Sequence, residues 1–326
     1  MIKILDTTLR DGEQAPGVAF SIEEKVAIAA RLDQAGVHFI EAGTPVMGGA
    51  EKEAIKAIVS MNFKAEVIVW NRALERDVEE SLSIGASNIH VSFPVSDIMM
   101  EKKLRRNREW ILKRLKEMAL FVTSSGATLS VGAEDASRAD EIFLDEFIKK
   151  AADMGAVRVR YCDTVGICEP FGLFETIKRM TEKARIPIEI HTHNDFGLAV
   201  ANALAGIMAG AGFVDTTVAG LGERAGNAAL EDVVMGLKML YGIDAGIDQS
   251  MLTGLADMVS AASGRPLPVS KSIVGGMAFA HESGIHVDGI MKAPITYEPF
   301  DPVIVGNMRR IVIGKHSGRK ATPPSP

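Results

Sequence analysis

Short β-branched runs alternate with helical runs eight times over roughly the first 240 residues. That alternation constrains the fold more than any single motif. Strand–helix repeats bury their strands in a parallel sheet with helices packed outside it. The strand runs fall at 2–5, 37–41, 65–70, 88–93, 128–131, 157–161, 187–191 and 213–218. The first helix opens at Ser21, where Glu24 three residues on completes a capping box. Other helical patterns cover 50–60, 75–84, 105–124, 141–154, 171–184, 198–209 and 228–241. Eight such units predict an α/β fold, a (β/α)8 TIM barrel. A doubly wound sheet is the alternative, but it normally carries a glycine-rich phosphate turn after its first strand. Here that turn reads Asp6-Thr-Thr-Leu-Arg-Asp-Gly-Glu-Gln and is rich in charge.

The pattern changes after residue 242 or so. One helix at 249–263 leads into Gly264-Arg-Pro-Leu-Pro, then into a segment holding His281-Glu-Ser-Gly-Ile-His-Val-Asp. The final Ala-Thr-Pro-Pro-Ser-Pro suits neither a helix nor a central strand. The expected division is a catalytic barrel at 1–245 and a linker helix with a small, apparently truncated C-terminal subdomain at 246–326. A formal net charge of -6 argues against nucleic acid as a partner. No apolar run reaches the roughly 18 residues of a membrane span. The two cysteines, Cys162 and Cys168, make no disulfide framework. The start of the chain reads as a strand, not a signal peptide, so the expected location is cytoplasmic.

Barrel active sites form where strands end and loops begin. His191 and His193 leave strand 7 at a spacing that puts both imidazoles on one side. Asp11 follows strand 1, beside Arg10, and Asn227 follows strand 8. Two imidazoles, a carboxylate and an amide oxygen form a mixed N/O set suited to a divalent ion with open positions. Mg²⁺ or Mn²⁺ fits the oxygen donors, while the histidine pair also accepts Zn²⁺ or Co²⁺. Arg10 adds fixed positive charge, which suits a reaction that builds negative charge on a carbonyl. Plainer readings exist for each residue: Asp11 as a loop cap, Asn227 as a helix cap, Arg138 and Arg224 in salt bridges. His38 and His90 read as structural histidines.

Four stretches together carry a resemblance. They are Asp6-Thr-Thr-Leu-Arg-Asp-Gly-Glu-Gln, His191-Thr-His-Asn-Asp, Gly220-Leu-Gly-Glu-Arg-Ala-Gly-Asn and Ser283-Gly-Ile-His-Val-Asp-Gly. In this order they resemble the homocitrate synthase / 2-isopropylmalate synthase family of metal-dependent acyltransferases over essentially the whole chain. Phe93-Pro-Val-Ser-Asp and Glu134-Asp-Ala-Ser-Arg-Ala-Asp are most similar to the nitrogen-fixation type of homocitrate synthase. The resemblance implies a condensation of acetyl-CoA with 2-oxoglutarate, and a homodimer. It implies that Asp11, His191, His193 and Asn227 hold the metal, and that Arg10 stabilises the keto oxygen. It gives Glu134 an acid/base role, sets Thr164 against the 2-oxo acid carboxylate, and brings His286 and Tyr297 near acetyl-CoA. One departure affects the substrate. Lysine-pathway members carry an arginine four residues before the position of Glu134, where this chain has Ser130. Arg72 is the expected replacement for that charge, with Asn71 and Ser92 as hydrogen-bonding alternatives. An apolar 2-oxo acid, as in 2-isopropylmalate or citramalate synthase, is the competing substrate. A lyase of the same barrel family and an inactive truncated member are the further alternatives.

Overall fold

The computed structural model describes residues 2–317. It divides into two compact units, the first ending at Ile247 and the second starting at Asp248. The proline-rich tail at 321–326 lies outside the described residues.

Among the described residues, the first unit is a closed parallel barrel of eight strands in sequence order. The strands are β1 (Lys3–Asp6), β2 (Phe39–Glu41), β3 (Glu66–Arg72), β4 (Asn88–Pro94), β5 (Thr128–Glu134), β6 (Val159–Asp163), β7 (Ile188–Thr192) and β8 (Phe213–Thr216). β1 pairs with β8 from Lys3↔Phe213 to Asp6↔Thr216 and closes the ring. Helices α1 (Ile22–Ala35), α2 (Gly49–Ser60), α3 (Glu75–Ser83), α4 (Arg108–Ser124), α5 (Glu141–Asp153), α6 (Pro170–Lys183), α7 (Ala199–Met208) and α8 (Leu230–Tyr241) follow the strands in turn. The capping box forms: Ser21 Oγ accepts from Glu24 N–H, and Glu24 Oε2 accepts from Ser21 N–H. β3 and β5 run further than expected, so Asn71, Arg72 and Glu134 sit on strands instead of in loops.

The interior is layered at the two-residue period of the strands. At the bottom, Leu5, Phe39 and Ile68 pack with Phe213. The Arg158 guanidinium lies over the rings of Phe39 and Phe213, 4.9 and 5.2 Å from their centroids. Two residues further along three of these strands, the layer turns ionic with Glu41, Arg160 and Asp215, and Glu189 joins from β7. Arg160 lies 2.9 Å from Glu41 Oε1 and 2.9 Å from Asp215 Oδ2, and its Nε also donates to Glu189. Burying charge is costly unless partners surround it, and this guanidinium is shared among three carboxylates.

The second unit holds α9 (Leu252–Ser263), α10 (Gly284–Lys292) and a two-stranded parallel pair, β9 (Ala280–His281) with β10 (Arg310–Ile311). No helix among the described residues is long and apolar enough to cross a membrane.

Candidate metal and substrate site

The turn after β1 is a π-helical segment, Thr8–Gly12, and it carries Arg10 and Asp11. Wide turns of this kind recur at functional sites. The preceding residues fix it. Asp6 Oδ1 accepts from Thr8 N–H at 2.9 Å, Thr7 Oγ1 from Asp11 N–H at 3.3 Å, and Thr8 Oγ1 from Val218 N–H at 2.8 Å. The last bond ties the first loop to the segment after β8. Asn227 is set by the glycine loop before it. A Cβ on Gly226, whose φ is +93°, would meet Gly220 O at 2.1 Å. Only glycine allows the Asn227 N–H to donate to that same carbonyl at 3.0 Å.

Asp11, His191 and His193 converge and are buried. The two Nε2 atoms lie 3.1 Å apart, and each is 3.8 Å from Asp11 Oδ2. Two cis ligands of a small divalent ion bound at about 2.1 Å would also lie about 3 Å apart. His191 Nδ1 lies 3.1 Å from Asp215 Oδ2. Asn227 Nδ2 donates to Asp11 Oδ2 at 2.7 Å, and Asn227 Oδ1 is buried without a hydrogen-bond partner. Two converging nitrogens and a carboxylate fit a divalent cation, and Asn227, whose amide nitrogen faces Asp11, keeps an unpartnered buried oxygen.

The electrostatics agree. Burial lowers both imidazoles to a pKa of about 4, the Asp11 charge opposing at His191 and His191 reinforcing at His193. Both are therefore neutral ligands at pH 7. Burial works to raise Asp11, but Arg10 and the two histidines outweigh it and hold the carboxylate at about 2. Metal binding must displace any protons on its ligands. Metal affinity is expected to stay flat from pH 8 down to about 5 and to fall steeply below about 4. Calorimetric titration with Mn²⁺ across that range checks this. A decline beginning near 6.5, the ordinary histidine range, would contradict the buried, neutral pair.

Arg10 is fixed on three sides. Its Nε donates to Glu41 Oε2 at 2.6 Å, its Nη1 to Asp11 Oδ1 at 2.9 Å, and its guanidinium lies 5.6 Å from the Trp70 ring centroid. With Asp11 and the histidines it opens on a cavity of about 270 Å³. Gln14, Trp70, His90, Ser92, Glu134, Arg160, Cys162, Thr164, Glu223 and Arg224 complete the lining. Glu134 takes the Lys103 ammonium at 2.6 Å. Thr164 Oγ1 accepts from Asp135 N–H at 2.8 Å, and Arg224 donates to both Asp195 oxygens and to the Thr164 carbonyl. Ser130 faces His90, with Nδ1 and Oγ 2.9 Å apart, and Gly132 leaves the room: a Cβ there would sit 2.7 Å from His90 Nε2.

Of the residues singled out in the sequence, Arg10, Asp11, Ser92, Glu134, Thr164, His191 and His193 meet at this cavity, with Asn227 against Asp11. Arg72 does not join them. Its exposed guanidinium is bidentate on the buried Asp77 at 2.7 and 2.9 Å, so the expected carboxylate clamp is spent within the protein. Asn71 is also taken up, donating to the carbonyls of Val69 and His90. His286 and Tyr297 belong to the second unit, where their rings stack with centroids 4.2 Å apart. His38 is structural, accepting from Ile4 N–H, whereas His90 reaches the cavity wall. Sequence reasoning passed over Arg160, Asp215 and Trp70. The alternating Arg158-x-Arg160 within a strand run was the available signal, because that period aims both at the barrel axis.

A closed parallel barrel with a two-histidine, one-carboxylate cluster at its strand ends defines a TIM-barrel protein with a candidate divalent-metal site. The family model described as HMGL-like matches residues 1–259, and one described as homocitrate synthase post-HMGL domain-like matches 273–323. The chain is 54% identical over 320 residues to 2-isopropylmalate synthase 2 of Caldanaerobacter subterraneus subsp. tengcongensis, covering 98% of this chain and 83% of that one. It is 52% identical over 318 residues to homocitrate synthase 1 of Nostoc sp., covering 98% and 84%. Among solved structures, the HMG-CoA lyase of Bacillus subtilis shares the barrel with a TM-score of 0.73 at 21% identity, covering 82% of this chain and 95% of that one. The chain belongs to the homocitrate synthase / 2-isopropylmalate synthase family of enzymes.

Proposed function

We propose that this protein is a homocitrate synthase, joining acetyl-CoA, 2-oxoglutarate and water into (R)-homocitrate and CoA. The observation that carries the choice of substrate is the cavity wall. Among the described residues, Leu, Ile and Val are absent from it; Trp70 and Cys162 are its apolar members, Gln14, His90, Ser92 and Thr164 offer uncharged polar groups, and Arg10, Arg160 and Arg224 are each already paired with carboxylates of the protein. A branched aliphatic 2-oxo acid needs apolar surface around its side chain, whereas a second carboxylate needs hydrogen-bond donors.

Asp11, His191, His193 and Asn227 would hold a divalent ion, Mg²⁺ or Mn²⁺ ahead of Zn²⁺ or Co²⁺, and such an ion supplies Lewis-acid polarisation of a carbonyl oxygen. Arg10 would donate to the keto oxygen of the 2-oxo acid as the new carbon–carbon bond turns it into an alkoxide. Its anchoring by Glu41 and Trp70 means that little reorganisation is needed when the charge appears. Thr164 and Ser92 offer hydroxyls for the substrate carboxylates. Glu134, with Lys103 beside it, would move a proton in this cavity.

The test is CoA-thiol release from acetyl-CoA with Mn²⁺, offering 2-oxoglutarate, 2-oxoisovalerate, pyruvate and oxaloacetate separately. Turnover is expected with 2-oxoglutarate. Preference for 2-oxoisovalerate would favour the second reading, 2-isopropylmalate synthase, which the Caldanaerobacter relative supports.

A further inference from the structure

The loop leaving β4 is basic in a chain whose formal net charge is -6. Lys102, Lys103, Arg105 and Arg106 fall within five residues, preceded by Glu101, and all five are exposed. The loop is held in place. Met99–Leu104 form a π-helical turn, Met100 is buried, and Arg106 N–H donates to Met100 O at 3.0 Å. Arg105 takes the left-handed backbone conformation, with φ +55°, which a non-glycine residue adopts at a cost. Its neighbours differ in one respect. Arg108 is neutralised by Asp97 and Asp140, and Arg114 by Glu75 and Glu117. Among the described residues, no carboxylate stands within ion-pair distance of Lys102, Arg105 or Arg106. The fourth cation, Lys103, fixes the loop at the cavity through its 2.6 Å bond to Glu134.

Three uncompensated cations on a braced turn at the cavity rim form a site for a ligand with several phosphoryl charges whose reactive end enters the barrel. We infer that this loop docks the 3′-phosphorylated ADP end of the acyl-CoA, with the flexible pantetheine arm carrying the thioester into the cavity. The inference rests on the reading that acetyl-CoA is the acyl donor. It assigns Lys102, Arg105 and Arg106 to donor binding and leaves the 2-oxo acid to the barrel interior.

The test replaces Lys102, Arg105 and Arg106 together by glutamine in the full chain and keeps Lys103. The expected result is a KM for acetyl-CoA raised about tenfold or more at low salt. The kcat and the KM for the 2-oxo acid stay unchanged. Acetyl-pantetheine, which lacks the nucleotide, should have the same KM with both proteins. The Kd for CoA, measured by calorimetry, should rise by the same factor, and adenosine 3′,5′-bisphosphate should displace CoA from the wild type only. A single Arg105→Gly variant relieves the backbone and still removes one contact, so its weaker CoA binding cannot be blamed on folding. Unchanged CoA affinity in both variants overturns the inference. So does displacement of CoA by inorganic phosphate as readily as by the bisphosphate, which marks general anion attraction. Wild type that binds CoA through the loop but releases none from acetyl-CoA would sink the proposed reaction and leave the docking site standing. Wild type that binds no CoA sinks both.

Discussion

Arg160→Met is expected to destabilise the barrel by about 3–5 kcal/mol, the usual cost of removing one partner from a buried ionic network. The loss follows from Glu41, Glu189 and Asp215, which share that guanidinium and are almost fully buried. Methionine fills much of the volume but leaves the carboxylates facing one another. Burial already pushes the Asp215 carboxyl well above its ordinary range, with Glu189 and Glu41 adding to it while Arg160 opposes. Without Arg160 the upward shift grows. A group whose folded pKa is raised binds its proton more readily folded than unfolded, so the folded state gains as pH falls. Denaturant unfolding of the variant should therefore show a deficit that is largest near pH 8 and shrinks toward pH 5. A deficit that is the same at every pH would mean that lost packing, not unpaired charge, is responsible.

The second large effect falls on catalysis. Arg10→Lys is expected to lower kcat/KM about 10²–10³-fold, the range for losing one donor to a developing oxyanion. Lysine keeps the charge but loses the fork that reaches Glu41 and Asp11 together, and the flat face over Trp70. Stability should change little, because Glu41 retains Arg160 and Thr7. Metal affinity separates two explanations. Arg10 is a cation beside the candidate metal ligands, so substituting it should not weaken Mn²⁺ binding. If activity and Mn²⁺ affinity fall together, Arg10 serves only to position Asp11.

The barrel was legible because its signal repeats: eight strand–helix alternations each carry the same two periodicities. The histidine pair was legible because one strand holds both residues. What escaped reading depended on partners that sequence separates. Arg72 has the place and charge of a substrate clamp, but Asp77 in the first turn of α3 captures it, and nothing local reveals that Asp77 is buried. The strand run reads as ending at Val131, whereas β5 continues to Glu134 through Gly132, where the His90 ring occupies the place of a side chain. Arg160 was overlooked because arginine in a strand normally points to solvent. Glu189 comes from the paired strand β7, but Asp215 comes from β8 and Glu41 from β2, which reaches Arg160 only across the closed barrel.

Asp11 and Asn227 touch across 216 residues of chain, and the hydrogen bond between them spans the seam where β1 meets β8. The candidate metal ligands therefore do not come together in any partly wound intermediate that leaves this seam open. During synthesis, the first ligand must wait until almost the entire barrel has left the ribosome. Contacts this remote form late and slow the search for the native state. A divalent ion that binds only the closed ring stabilises that state by mass action and no earlier species. Uptake of the proposed ion would thus report closure of the barrel, and its scarcity would prolong the interval in which the ring can reopen.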